Sequence, residues 1–220
     1  MSRTWQMSFG LLLTALAGYI DAIGFIQLNG LYTSFMSGNT TQLGVSLAHG
    51  AFGQAAMPTL LILVFLLGST IGSGLWMATP ARWGTPVVMA YETLLIVGAL
   101  ALGLQLPELG LSPVFMAFAM GSQNAVLGSV QGFRAGTTFV TGALFGLGQK
   151  LAAALTGTGP AFGWIGDATV WLALMTGALA GTAVYTKLGV HALIVPASVA
   201  GLLAVTATVL AALRPVQSAV

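Results

Sequence analysis

Between Arg3 and Arg82 the chain carries a single charged side chain, Asp21, and further charge-free apolar stretches follow one another to the C-terminus. Each is long enough to cross a hydrocarbon layer of roughly 30 Å, which takes about 20 apolar residues in a helix. Of 220 residues, 57% are hydrophobic and 5% are charged, against roughly 25% charged in an average soluble domain. Six basic and four acidic residues are too few to coat a water-facing surface around such a core. The bilayer is the solvent. The fold class is therefore all-α and polytopic, a single membrane domain.

The same composition excludes other classes. The six basic residues are scattered, so nucleic-acid binding has no electrostatic footprint. Cysteine is absent, which removes disulfides and thiolate metal sites. His49 and His191 stand far apart, so neither a metal nor another cofactor is expected. Arg3, the run Phe9 to Leu13 and Ala15-Leu16-Ala17 imitate a cleavable signal peptide. The apolar pattern continues past Ala17 to Phe25 and Ile26, so the segment is expected to stay as a first helix.

Gly, Pro and polar breaks divide the chain into eight apolar segments, at about 7–28, 33–49, 55–78, 86–104, 113–131, 137–155, 168–185 and 190–213. The order then repeats. Gly18-Tyr19-Ile20-Asp21-Ala22 lines up with Gly121-Ser122-Gln123-Asn124-Ala125, and Ser34-Phe35-Met36-Ser37-Gly38 with Thr138-Phe139-Val140-Thr141-Gly142. Gly68-x-x-x-Gly72 meets Gly177-x-x-x-Gly181, two pairs that suit close helix packing. These matches predict an internal duplication, with halves at about 1–106 and 107–220.

The second and sixth segments are short and rich in hydroxyl groups, which makes them poor lipid-facing spans. With all eight segments crossing, Arg3, Lys150 and Arg214 would oppose Arg82, Arg134 and Lys187. If those two segments dip in and return, only Lys187 stands against the other five, and the positive-inside rule prefers that split. The expectation is about six spanning helices plus two short polar segments, broken or re-entrant. The N-terminus would then be cytoplasmic, and inverted halves of three spans each would result.

Candidate site residues follow from the cost of polarity inside a membrane. Asp21 lies within an apolar helix, where an unpaired carboxylate costs several kcal/mol. It reads either as a helix-locking contact or as a substrate- or proton-binding group. Its repeat mate Asn124 stands beside Gln123. Short interrupted segments in corresponding positions of two halves point to a transporter binding site, which adds Ser37, Asn39, Thr40, Thr41, Gln42 and Thr141. Glu92 and Lys150 are expected either to pair or to reach the interface, Lys150 the latter. Asp167 falls in a predicted loop. No catalytic motif is present, so an enzyme is not expected.

Gly18-Tyr19-Ile20-Asp21-Ala22-Ile23-Gly24-Phe25 and Ser34-Phe35-Met36-Ser37-Gly38-Asn39-Thr40-Thr41-Gln42-Leu43-Gly44 resemble the YoaK-like family of small bacterial membrane proteins, as does the second half. The resemblance covers nearly the whole chain. It implies six-helix inner-membrane proteins of unknown function, sometimes regarded as permeases. The resulting expectation is secondary transport of a small molecule or ion across the bacterial inner membrane, proton-linked through Asp21. The rivals are a channel and a non-transporting subunit that binds a partner protein. A homodimer is an expectation by analogy with larger carriers.

Overall fold

The structure, a computed structural model, describes residues 3–127 and 140–213. Its helices are α1 (Arg3–Gln27), α2 (Met36–Ala48), α3 (Phe52–Ala78), α4 (Gly84–Gln105), α5 (Ser112–Leu127), α6 (Val140–Leu155), α7 (Ile165–Leu188) and α8 (Ile194–Ala212). Short 3-10 turns at Pro107–Leu109 and Gly189–Leu193 link α4 to α5 and α7 to α8. The stop of α1 is written in Asn29-Gly30. Both residues take positive φ, 51° and 107°, and the Gly30 N–H returns to the Phe25 carbonyl at 2.9 Å, satisfying a C-terminal carbonyl that has no helical partner.

Several boundaries shift by a few residues from expectation, and two of the shifts bear on candidate residues. Residues 33–35 are not helical, so α2 is shorter than the predicted segment; α7 begins three residues earlier and takes Asp167 into its first turn. An acid there is favourable against the helix dipole, so Asp167 lies on a helix and not in a loop. The predicted ends 128–131 and 137–139 lie outside the described residues.

Four continuous stretches are long and apolar enough to cross a bilayer: Gln6–Gln27, Phe52–Ala78, Gly84–Gln105 and Ile165–Ala212. The last contains both α7 and α8. Large apolar side chains point outward in rows, Leu60, Leu63, Leu67 and Ile71 on α3 and Leu172, Met175 and Leu179 on α7. A water-soluble surface does not carry such rows; lipid is their solvent. The chain is an all-helical, multi-pass membrane protein.

The buried interior is drawn from α1, α4, α5 and α8, through residues such as Ile20, Met89, Met120 and Leu203. Two glycine seams fasten the outer helices to it. On α3, a Cβ added at Gly68 would run into the Phe118 carbonyl oxygen of α5, and one at Gly72 would meet Ser122 Cα at 2.8 Å. On α7, a Cβ at Gly177 would run into the Ala15 carbonyl oxygen of α1, and one at Gly181 into that of Tyr19. The return contacts match: Gly121 abuts Phe65 and Ser69, and Gly18 abuts Leu174 and Ala178. Backbones approach this closely only where no side chain intervenes. In both seams the paired residue numbers rise together, so α3 runs parallel to α5, and α7 to α1.

Directions through the membrane follow from a cleft at one end of the bundle. Its lining includes Gln27 at the end of α1, Met57 near the start of α3, Gly103 at the end of α4, Ser112 at the start of α5, Tyr185 near the end of α7 and Val190 just before α8. Since α1 ends and α3 begins at this cleft end, α2 returns to the side it left. Its 13 residues measure about 20 Å at 1.5 Å per residue, too short to span. On the opposite side, α5 runs away from the cleft and α7 begins there, so α6 likewise connects two points at one end.

Gly18→Ala and Gly121→Ala, which overfill the two seams, are each expected to lower stability by about 1–3 kcal/mol. Gly44→Ala and Gly74→Ala place their methyl in open space and are expected to raise it by up to about 1 kcal/mol. Thermal unfolding in one detergent measures all four. With no native cysteine, single cysteines at His49 and Glu108 should react with an impermeant thiol reagent from one side of the membrane, and cysteines at Arg82 and Lys150 from the other.

Candidate functional site

The intramembrane polar groups fall into three places rather than one. The first is the junction of α1 and α2. Asp21 lies six residues before the end of α1, about 9 Å below the cleft end along the helix. Its Oδ1 accepts hydrogen bonds from the Thr33 and Ser34 backbone N–H groups, both at 2.8 Å, and from the Thr33 hydroxyl at 3.2 Å. Beyond Gln27 the chain thus turns back into the membrane and is caught by this carboxylate before α2 starts. Backbone N–H groups at such depth need an acceptor, and a charged one makes the stronger bond.

Asn39 completes the junction. It is fully buried; its Oδ1 accepts from the Tyr32 N–H at 2.9 Å and its Nδ2 donates to the Tyr32 carbonyl at 2.7 Å. The side-chain amide pairs with the backbone as a strand would. Tyr32 packs between Phe25, tilted by 45°, and Phe35, edge-on at 80°, each ring centroid 5.1 Å away. Gly24 and Gly38 let these groups close: a Cβ at Gly24 would strike Thr33 Cγ2, and one at Gly38 would meet Phe35 and Tyr32 at 2.8 and 2.9 Å. The Gly-Asn pair at 38 and 39 is a clamp for the re-entrant turn.

The other predicted members of that stretch face outward. Ser37, Thr40, Thr41 and Gln42 are exposed on α2. Thr40 and Thr41 donate to the Met36 and Ser37 carbonyls one turn back, at 2.8 and 3.1 Å, which hides the hydroxyl donors without adding a partner from elsewhere. Thr141 is exposed on α6, which lies along α7 at the opposite end. The expected convergence of both short segments on one pocket is therefore not what the described residues show.

The second place lies deep between α4 and α5. Glu92 is fully buried, and its Oε1 accepts from Gln123 Nε2 at 2.9 Å. Glu92 is 13 residues from the end of α4 and Gln123 11 residues from the start of α5, about 20 and 17 Å from the cleft end. Both thus lie near mid-membrane. Glu92 Oε2 is buried without a hydrogen-bond partner among the described residues. Asn124 donates to the Met120 carbonyl at 3.1 Å, and its Oδ1 is buried without a partner among the described residues. Glu92 therefore pairs inside the membrane and does not reach an interface. The available sequence signal was an acid preceding a long uncharged run; its partner 31 residues away gave none.

The third place is at the opposite end, where Lys150 and Asp167 form an ion pair at 2.6 Å. Lys150 is thus paired, not simply extended toward the interface. Gly146 lies against the same carboxylate, which brings α6 onto the first turn of α7. Among the described residues no group of three His, Asp or Glu side chains could hold a metal ion.

Removing Asn39 strips the Tyr32 N–H and carbonyl of their side-chain partner. Asn39→Ala is expected to lower unfolding free energy by about 1–3 kcal/mol and to speed thiol labelling of a cysteine placed at Leu31. Asp21→Asn keeps an acceptor but loses its charge, so a smaller loss with the same labelling change is expected.

Comparison with known proteins agrees with this architecture at family level. The family model described as "Protein of unknown function (DUF1275)" matches residues 9–206. A UPF0700 transmembrane protein, RA0705, of Rhizobium meliloti (strain 1021) is similar to the chain, 35% identical over 206 residues that cover 92% of this chain and 88% of that protein. No solved structure matches. With its multi-pass helical architecture and a family match over nearly its whole length, the chain belongs to the DUF1275 family of proteins of unknown function.

Proposed function

We propose that this protein is a secondary transporter of a small solute, built from two inverted copies of a three-span unit, with Glu92 as the ionisable group of its path. The observation that carries the reading is the Glu92–Gln123 pair. A carboxyl group held near mid-membrane, with one oxygen bonded and the other unpartnered, is expensive to keep. Groups of that kind mark proton and ion pathways in membrane proteins.

The two seams support the duplication. Ala15, Gly18 and Tyr19 of α1 stand to α7 as Phe118, Gly121 and Ser122 of α5 stand to α3, at a constant offset of 103 residues on one side and 109 on the other. An odd number of spans per half turns one copy over. Arg3, Arg82 and Lys150 lie at the end opposite the cleft and Lys187 at the cleft end. This favours a cytoplasmic N-terminus in a bacterial inner membrane.

In this reading Asp21 is a positioning group. Its bonds to Thr33 and Ser34 hold the re-entrant segment, which leaves the coupling proton to Glu92. The helices packed on α4, namely α3, α5 and α8, carry no acidic or basic side chain among their described residues; exposed His191 lies in the adjoining 3-10 turn. Nothing there supplies Glu92 with a compensating charge.

Proteoliposomes holding a pH-sensitive dye, challenged in turn with neutral, cationic and anionic small solutes, test the proposal. Glu92→Gln keeps the shape and a hydrogen bond to Gln123. It is expected to abolish solute-driven proton movement while the protein melts at or above the wild-type temperature. Asp21→Asn is expected to retain such movement at a reduced rate. Proton-coupled uptake that survives Glu92→Gln at every pH would end this assignment.

A further inference from the structure

We propose that the short turn between α7 and α8 is a hinged plug, which closes the cleft end of the bundle above Glu92 and is latched shut by the Tyr19 hydroxyl. The sequence Gly189-Val190-His191-Ala192-Leu193 is apolar except for His191, which is exposed. Ala192 and Leu193 are fully buried in the apolar interior, packed among α4, α7 and α8. Connections ordinarily run over the surface, because their backbone polar groups need partners. The turn between α3 and α4 does so, with Pro80, Ala81 and Arg82 exposed. The turn at the cleft end goes in.

Its register on α4 puts it across the route from the cleft to the buried acid. A Cβ on Gly103 would meet Val190 Cγ1 at 2.6 Å, and one on Gly201 of α8 would stand 3.5 Å from Thr93 Cγ2, beside Glu92 in the chain. The turn and the start of α8 therefore follow α4 from the cleft down to the level of the acid. Ile96 and Ala99, one and two turns above Glu92 on α4, are fully buried and share an apolar cluster with Leu193. Water that enters the cleft meets these side chains before it meets the carboxyl group. The plug rests on the transport reading, in which a proton must reach Glu92 from one side at a time.

The hinge is Gly189. Its φ of 54° and ψ of −138° form a combination that glycine adopts freely and L side chains do not. A Cβ there would meet nothing within 4 Å, so the backbone requires glycine and crowding does not. The latch is one bond: the Tyr19 hydroxyl of α1 donates to the Ala192 carbonyl at 3.1 Å. Tyr19 is a firm post, because Gly181 of α7 abuts its backbone in the α1–α7 seam. When that bond breaks, α7 stays on the seam and the turn swings at Gly189.

Cysteine labelling reads the plug without reference to transport. In full-length protein in proteoliposomes, Leu193→Cys reports on the turn, and Leu61→Cys, equally buried on α3, reports on general loosening. With an impermeant thiol reagent on the cleft side, Tyr19→Phe is expected to speed labelling at 193 about fivefold, the worth of one hydrogen bond. Gly189→Ala, which strains the hinge, should speed it about tenfold. Labelling at 61 should keep its rate in both backgrounds. A Tyr19→Phe change that leaves the rate at 193 unaltered, or raises both rates alike, overturns the plug. Gly103→Cys with Val190→Cys, joined as a disulfide, should stop solute-driven proton movement, and reduction should restore it. Movement that continues through the disulfide also overturns the plug and leaves the proton on Glu92. Proton movement that survives Glu92→Gln removes the transport assignment instead, and leaves the labelling pattern as it was.

Discussion

A hydrocarbon interior offers no hydrogen bonds, and the rest of this structure follows from how the chain supplies its own. Along the long helices the backbone satisfies itself. Between α1 and α2 it cannot, because residues 28–35 turn back into the membrane before a helix forms. There Asp21 accepts from two successive N–H groups, and the Asn39 amide answers both polar groups of Tyr32. An isolated carboxylate at that depth would be costly; one that receives three donors replaces water for the turn and is stabilised by it. The re-entrant segment and the acid depend on each other.

The glycine seams solve the complementary problem of packing without a hydrophobic drive. Lipid tails are as apolar as leucine, so helices gain little by burying ordinary side chains against each other. Close backbone contact gains dispersion energy that lipid cannot match. The seams join α1 to α7 and α5 to α3. Helices distant in sequence are therefore held to each other, and the buried interior is drawn from α1, α4, α5 and α8. A chain stitched in this way leaves α2 and α6 at the periphery, each lying against a single outer helix.

The two intramembrane acids show how environment separates similar groups. Asp21 faces backbone donors and acts on the chain itself. Glu92 faces one side-chain amide, with its second oxygen unanswered. Asp21 commits one oxygen to three structural donors, whereas the fully buried Glu92 gives one oxygen to a single amide and keeps the other without a partner among the described residues. That contrast, more than depth alone, is why our transport proposal places the proton on Glu92.

Local chemistry in the sequence was enough to settle the solvent, the helical class, the approximate segments, the small-residue contacts of Gly68, Gly72, Gly177 and Gly181, and the weakness of 33–49 as a span. Hydropathy, helix length and glycine spacing are properties of neighbouring residues, so they can be read without coordinates. Tertiary structure alone decided that Asp21 holds Thr33 and Ser34, that Glu92 meets Gln123, and that Ser37, Thr40, Thr41, Gln42 and Thr141 face away from any shared pocket. Those outcomes rest on which way a polar side chain points once distant helices have packed, and residue type does not carry that direction. An acid in an apolar run announces that some partner is required; only the packed helices determine whether backbone, amide or open cavity provides it.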